Sequence, residues 1–571
     1  MTHFKDCVLE GFIQRLRLWG YVFPTPFLLA LSKEMGSEKH VPQRRSLWLL
    51  PSFRTSEKKV AVRRNLTVSF GAYIKKWFLE NSFPKAKPLV FRLLPREACE
   101  RRNTMTEPSS LARQRRLPRL WHLTWPAILE QLLGMTVSFA DTAMVGSLGA
   151  SATAGVSVVA SSIWLINGIM AGVGVGYSVQ VANAVGAEDH ALARKVIRQG
   201  ALAVAVLGIF ALAVMELLAP FIPRWLGAEP EVYPLAVTYL RMYCLGLPFA
   251  TALAVFSAII RCTGDTRTPL FLNGLANVVN IVLNYLLIYD TRSWYGGLTM
   301  PGAGLGVGGA ALASALSLTL SGVLVLRTVF WNRRRPVSLC PEEGYRPDGA
   351  VIRTALLLGL PYIGERVTIN LGQILMTSMV AHVGTVALAA NHIATTVEGM
   401  CYLPAYGVSF AATALVGQAV GARSREDASS YGKLAGGMGF LMCLGTGALM
   451  FLVAPLVSGL FTPDGDVVAL TARVLRIVAF SEPFFGLSIV MSGALRGARD
   501  VAFPMGVALG CMWGVRATIA PLLIFGFHWG LEAVWLAMAL DLTCRGVLCA
   551  LRWRSGRWTR RAGITESQVS P

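Results

Sequence analysis

Asp141 stands in the run Val137-Ser-Phe-Ala-Asp141-Thr-Ala-Met-Val-Gly146, inside a stretch otherwise fit for hydrocarbon. An ionisable group in mid-bilayer costs roughly 2.5 kcal/mol or more, so such a group normally faces protein or a wet cavity. A carboxylate there can take up and release a proton, or ligate sodium together with neighbouring oxygens; the plain alternative is a helix-end carboxylate in the interface. Glu130 lies eleven residues earlier, which returns to nearly the same helix face about three turns away. Asn273, Asn277, Asn280 and Asn284 are spaced four, three and four, so their amides share one helical stripe. Amides can hydrogen-bond a carboxyl group, coordinate a small cation through oxygen, or simply join helices. A stripe facing Asp141 would make a polar pocket within the first half of the chain. Glu365, Gln373, Glu398 and Tyr402 are further candidates for lining a cavity, with Asn391, Gln418 and Tyr406 near them. Arg366 could equally pair with a nearby carboxylate, Arg516 is expected to have a structural carboxylate partner, and Asp541 and Arg545, four apart, are expected to pair with each other.

The elements that must position these groups read as membrane helices. The 571 residues are 54% hydrophobic and 15% charged, with mean hydropathy +0.52, too apolar for an ordinary soluble protein. Apolar spans fall near 118–144, 155–183, 198–220, 235–259, 268–290 and 305–330, then 355–380, 389–418, 433–457, 470–494, 501–525 and 530–551. Each is long enough to cross a hydrocarbon core of about 30 Å, and too long for a barrel strand. The predicted fold is an all-α integral membrane protein with twelve transmembrane helices in two homologous six-helix lobes. Gly302-Ala-Gly-Leu-Gly-Val-Gly-Gly-Ala-Ala311 follows no strand signal and is expected to serve close helix packing, not a dinucleotide.

The two lobes are legible as a repeat at a separation of about 235 positions. Pro126-Ala-Ile-Leu-Glu130 returns as Pro361-Tyr-Ile-Gly-Glu365, and Ala184-Val-Gly-Ala187 as Ala419-Val-Gly-Ala422. Arg241, Pro248, Arg261, Asp265 and Pro269 are answered by Arg476, Pro483, Arg496, Asp500 and Pro504 without a gap. Matching halves can hold a site where they meet and expose it alternately, as many transporters do. Asp141 is answered by Met376, which concentrates ion chemistry in the first half; Glu130, answered by Glu365, fits a paired structural role as well as a transport role.

Basic residues set the expected orientation. Loops bearing Arg194, Lys195 and Arg198; Arg261 and Arg267; Arg333, Arg334 and Arg335; Arg423, Arg425 and Lys433; and Arg496 and Arg499 alternate with basic-poor ones such as Ala228-Glu-Pro-Glu231 and Pro463-Asp-Gly-Asp466. Both ends of the helical region are therefore expected in the cytoplasm, with the protein in the cell (inner) membrane. The net charge of +21 follows this topology and an N-terminal stretch, and no compact basic domain points to nucleic acid. The expected divisions are a basic extension at 1–104, an N-lobe at 117–331, a cytoplasmic linker at 332–352, a C-lobe at 353–558 and a tail at 559–571. The extension has no sustained apolar span, and the expectation is that Met105 is the true start. The ten cysteines form no CxxC pair and the seven histidines no HExxH, so neither a disulfide framework nor a metal site is expected, sodium at Asp141 aside.

Taken together, Asp141-Thr with Met144-Val-Gly146, Val181-Ala-Asn-Ala-Val-Gly-Ala187, Asn280-Ile-Val-Leu-Asn284 and Leu415-Val-Gly-Gln-Ala-Val-Gly-Ala422 resemble the multidrug and toxic compound extrusion (MATE) transporters, prokaryotic branch, DinF-like and NorM-like members. The resemblance runs from about Leu117 to Trp558. It implies a secondary active exporter of varied, often cationic or amphipathic organic compounds. The driving force would be inward flow of protons or sodium, with no cofactor and no enzymatic reaction, and the protein is expected to act as a monomer. It also implies that Asp141 binds the coupling ion, with Asn280 and Asn284 beside it. The family pattern often has Asp where Asn284 stands, a departure that bears on which ion is used. The rival reading is a flippase for lipid-linked saccharides, which would want a large basic cavity.

Overall fold

The computed structural model describes residues 109–294, 298–331, 346–527 and 529–564. The extension at 1–104, the linker arginines at 333–335 and the last seven residues of the tail lie outside the described residues.

The bilayer offers backbone groups no water, so each apolar run satisfies its own amides by coiling. In the first lobe these are α1 (Ser109–Gly146), α2 (Ala150–Gly186), α3 (His190–Leu218), α4 (Tyr233–Cys244), α5 (Leu247–Cys262), α6 (Arg267–Ile288) and α7 (Gly306–Trp331). The second holds α8 (Gly349–Val383), α9 (Thr385–Cys401), α10 (Leu403–Gly421), α11 (Arg425–Phe461), α12 (Gly465–Ala479), α13 (Glu482–Gly497), α14 (Ala502–Cys511) and α15 (Leu531–Arg554). Eight helical stretches are individually long and apolar enough to cross a membrane, α14 being continued by π-turns to Gly526. The bent pairs α4–α5 (53°) and α12–α13 (54°) bring the number to ten. The longer but more polar α1 and α8 complete twelve spans, six in each lobe. Short α9 joins α10 across Tyr402 as a single span.

The sequence repeat is also a repeat of geometry. The turn before α2 uses Gly149 at φ 115° and its counterpart before α9 uses Gly384 at φ 136°. After α2 and α10 the chain turns through Glu188 (φ 58°) and Arg423 (φ 56°), left-handed positions that ordinary side chains seldom adopt. Asp189 and Ser424, the next residues, then cap α3 and α11, accepting from the amides of Leu192 and Asp427. Each bent pair breaks just ahead of its repeated proline, Pro248 or Pro483.

One element departs from the all-helical expectation. Asp290–Trp294 (β1) pairs antiparallel with Leu298–Ala303 (β2) in a hairpin between α6 and α7. The first glycines of the 302–311 run belong to it: the space where a Gly302 side chain would stand is 2.3 Å from the Tyr289 carbonyl oxygen. Gly309, farther along, does serve helix packing, against Leu287 of α6.

The lobes join through α1 and α2 on one side and α8 and α10 on the other. Their shared hydrogen bonds and ion pairs cluster at the end where α1 and α8 begin and α2 and α10 finish. This basic end carries Arg116 bonded to Glu426 (3.1 Å) and Ser430 (2.9 Å), Lys195 paired with Asp348, and Gln199 donating to the Arg346 carbonyl (2.8 Å). The Lys195 ammonium and the amides of Ala350 and Val351 hold the Asp348 carboxyl below its usual range. Glycines let the helices touch deeper in, with Gly172 against Ile363, Gly176 against Ala355 and Gly407 against Ile128. Toward the far end the lobes part. A side chain on Gly134 would meet open space, and Thr136, Ser138, Gln373 and Thr377 are exposed.

Candidate coupling-ion site

The asparagine stripe does face α1. Asn284 donates through Nδ2 to the Asp141 carboxylate and also to Asn280 Oδ1 at 3.0 Å. Asn280 in turn donates to Ser314 Oγ of α7 at 3.2 Å. Asn284 is fully buried and Asn280 nearly so, while Asp141 is half-buried. With both donor bonds leaving from Nδ2, the Asn284 carbonyl oxygen is left buried without a partner. A carboxylate beside an unsatisfied amide oxygen is a place for a proton on the carboxyl or a small cation between the two oxygens. Tyr239 and Tyr243 of α4 lie within electrostatic reach of Asp141. Asn277 sits half-buried farther along the stripe.

Glu130 is held differently. Arg261 Nη1 reaches its two oxygens at 2.9 and 3.2 Å, and Asn273 Nδ2 donates at 2.9 Å. The stripe thus serves two carboxylates on α1, one in an ion pair and one with no cationic partner among the described residues. The ion pair recurs in the second lobe as Arg496 with Glu365 at 3.5 Å. Asn273 has no equivalent there, because its repeat position is Ala508. Glu365 Oε2 and Arg496 Nε are accordingly left without partners.

The remaining second-lobe candidates are not assembled into one site. Glu398 is buried at the end of α9, whereas Gln373 is exposed on α8. Tyr402 stands at the α9–α10 joint, its ring edge-on to Tyr406 (5.8 Å) and Phe485 (5.0 Å). Asn391 accepts from the Trp535 indole at 3.0 Å. Gln418 lies at the basic end between the lobes, far along α10 from Glu398. Asp541 and Arg545 pair as expected, at 2.7 Å.

Neither Arg366 nor Arg516 forms an ion pair with a carboxylate among the described residues, although Arg516 lies within electrostatic reach of Glu398 and Asp541. Arg366 donates to the Tyr362 hydroxyl (2.8 and 3.0 Å) and rests over the Tyr362 and Tyr406 rings, since neighbouring Glu365 is engaged by Arg496. Arg516, in the π-turn after α14, donates to the Met538 sulfur at 2.9 Å, its nearby Asp541 being taken by Arg545. Sequence reasoning passed over Glu482, which is fully buried with both carboxylate oxygens unpartnered and interacts electrostatically with Glu398. The signal was present, an acid beside Pro483 in the middle of an apolar span.

A helical bundle of two matched lobes, with a carboxylate–amide pocket inside the first, defines a membrane transporter. The MatE family model matches residues 126–286 and 361–522, beginning in each lobe on the repeated proline, and the chain belongs to that family of transporters, in its NorM-like branch. The probable multidrug resistance protein NorM of Thermotoga maritima is 29% identical over 452 residues, covering 78% of this chain and 94% of the relative. The protein of the same description from Pseudomonas aeruginosa is 28% identical over 461 residues, covering 79% and 92%. Among solved structures, an outward-facing multidrug resistance MATE transporter superposes with TM-score 0.72 at 22% identity, covering 81% of this chain and all of that one. A MATE protein in a bent conformation gives 0.73 at 22% identity, covering 82% and 100%. These structures share the fold.

Proposed function

We propose that this chain is a multidrug exporter that exchanges small organic compounds, cationic or amphipathic in character, for an inward-moving proton or sodium ion. The observation that carries the reading is the Asp141–Asn284–Asn280 chain, a carboxylate with no cationic partner among the described residues beside an orphaned amide oxygen, all within one lobe. Ion occupancy at Asp141 changes the charge that Asn284 must satisfy. That change can favour one arrangement of the lobes only through a difference in ion affinity between arrangements. The basic end belongs to the cytoplasm by the distribution of Lys and Arg, so the parted lobes open outward. The protein works as a monomer in the cell membrane, the substrate occupying the space between the lobes.

The flippase reading weakens at the same time. Arg261 and Arg496 are committed to Glu130 and Glu365, which leaves Arg366, against the Tyr362 and Tyr406 rings, and the buried Arg516, too few for the large basic cavity a polyanionic headgroup wants.

Dye efflux from energised vesicles tests the proposal, with the proton and sodium gradients collapsed separately. Asp141→Asn is expected to remove ion-driven efflux by about a hundredfold or more while the protein stays folded in the membrane, the scale of an interaction needed for coupling. Undiminished efflux from this variant would sink the assignment, and the gradient whose collapse stops the native protein names the ion.

A further inference from the structure

Val181-Ala-Asn-Ala-Val-Gly-Ala187 and Leu415-Val-Gly-Gln-Ala-Val-Gly-Ala422 are repeat mates, yet neither touches the Asp141 pocket. Asn183 and Gln418 occupy the same position in the two copies, as do Cys262 and Gly497, each pair separated by 235 residues. Gln418 of the second lobe donates to the Cys262 carbonyl of the first at 2.9 Å. Asn183 of the first, whose shortest bond is to the Val179 carbonyl of its own helix at 2.9 Å, also donates to the Gly417 carbonyl of the second at 3.3 Å and to the Gly497 carbonyl at 3.4 Å. Cys262 and Gly497 are the last residues of α5 and α13, whose terminal carbonyls have no acceptor role left inside their own helices. Each lobe therefore caps a helix of the other. The amide oxygens are used as well: Arg499 Nε donates to Asn183 at 2.6 Å, and Arg119 donates to Gln418 at 3.1 Å.

The backbones cross here with no room for side chains. A Cβ on Gly186 would lie 1.9 Å from the Gln418 carbonyl oxygen, and one on Gly421 would lie 1.9 Å from that of Asn183.

We propose that Asn183 and Gln418 form a reciprocal latch that holds the basic end shut and must release once in every transport cycle. The proposal rests on the alternating-access reading above. Amides suit the task. When the lobes separate, the freed carbonyls and amides meet water, so opening exchanges hydrogen bonds and strands no charge in a dry interface. The latch is consequently strong enough to bias the closed arrangement and weak enough to let go.

Cys262 supplies a native reporter, its thiol buried beside Ala182 and Ala414 within the junction. Cys244, fully buried inside the first lobe, is the control. Inside-out vesicles containing the full chain are treated with a membrane-impermeant maleimide, and alkylation is measured peptide by peptide by mass spectrometry. Asn183→Ala/Gln418→Ala is expected to raise labelling of Cys262 about tenfold with Cys244 unchanged, the population shift expected when such hydrogen bonds leave one side of a two-state balance. Gly421→Ala, which props the crossing apart without removing either amide, is expected to do the same. Unchanged Cys262 labelling in both variants overturns the latch, and so does a parallel rise at Cys244, which would report loss of the fold. The labelling ratio needs no transport. Absence of gradient-driven efflux by the unmodified chain would therefore defeat the exporter reading while the latch is still decided by Cys262.

Discussion

Glu130 and Glu365 occupy the same place in two copies of one design, and their hydrogen-bonding surroundings differ. Glu130 is satisfied by Arg261 and Asn273; Glu365 has Arg496 alone at a longer distance, with Ala508 where the amide would be. Removing a carboxylate from a well-made buried pair strands the guanidinium, at a cost of about 3–5 kcal/mol. Glu130→Gln should lower the thermal unfolding midpoint of the detergent-solubilised protein clearly, and Glu365→Gln should lower it less. Equal losses would show that Asn273 contributes nothing. Each of these residues was legible in the sequence as an ionisable group in an apolar span. Their pairing was not, because helical spacing orders residues three and four apart, whereas Glu130 and Arg261 are 131 apart. The stripe of asparagines was legible because it obeys that spacing, and only its division between two carboxylates had to await the fold.

At the scale of elements, a proline did not by itself foretell a bend. Pro248 and Pro483 stand at the two bent spans, where a ring without an amide hydrogen loosens the preceding turn, whereas Pro126 and Pro361 lie inside unbroken helices. Glycine counts, likewise, could not separate contact from convenience. Gly486 of α13 faces Cys443, and a Cβ there would stand 2.5 Å from the sulfur and 2.8 Å from the Gly439 carbonyl oxygen. Gly445 on α11 has open space at the same point. Gly486→Ala should destabilise the second lobe by about 1–3 kcal/mol through overpacking, while Gly445→Ala should be neutral or slightly favourable because alanine is the better helix former. Thermal-shift midpoints of the two variants compare them directly, and matching values would contradict the packing. The hairpin between α6 and α7 escaped the sequence because its strands are short and lie where the apolar period simply stops. Glu482 escaped for another reason: the repeat drew the eye to Pro483, and its own counterpart, Leu247, carries no charge.

For the whole molecule, the decisive surface is where lobe meets lobe. Its twofold plan and even its landmarks are legible in the repeat, but which residues cross between the halves depends on how two bundles dock. Gln418 shows the difficulty, for a polar residue in a span reads as cavity lining until its partner is known to sit in the other half. Two substitutions on this surface should behave unalike. Arg116→Ala removes contacts to carboxylates on Glu426 and Asp427 that are 76% and 43% exposed, and pairs so open to solvent are worth under about 1 kcal/mol. Export should change less than about fivefold, the factor that corresponds to about 1 kcal/mol. Gly176→Ala would press a methyl to 2.4 Å from the Ala355 carbonyl oxygen and should impair export severely. Efflux rates normalised to the amount of protein in the membrane distinguish them, and a harmful Arg116→Ala with a harmless Gly176→Ala would reverse the ranking of charge and packing.

The crossing of Gly186 and Gly421 also sets how tight the door at the basic end is. Where two stretches of main chain pass with only hydrogen atoms between them, the outermost seal is backbone alone, and the glycine contacts deeper in continue it. Such a seal insulates only while it is flush. On the exporter reading proposed above, a variant that holds it ajar should do more than slow the pump, for during each outward opening a wet path would let the driving gradient drain without moving cargo.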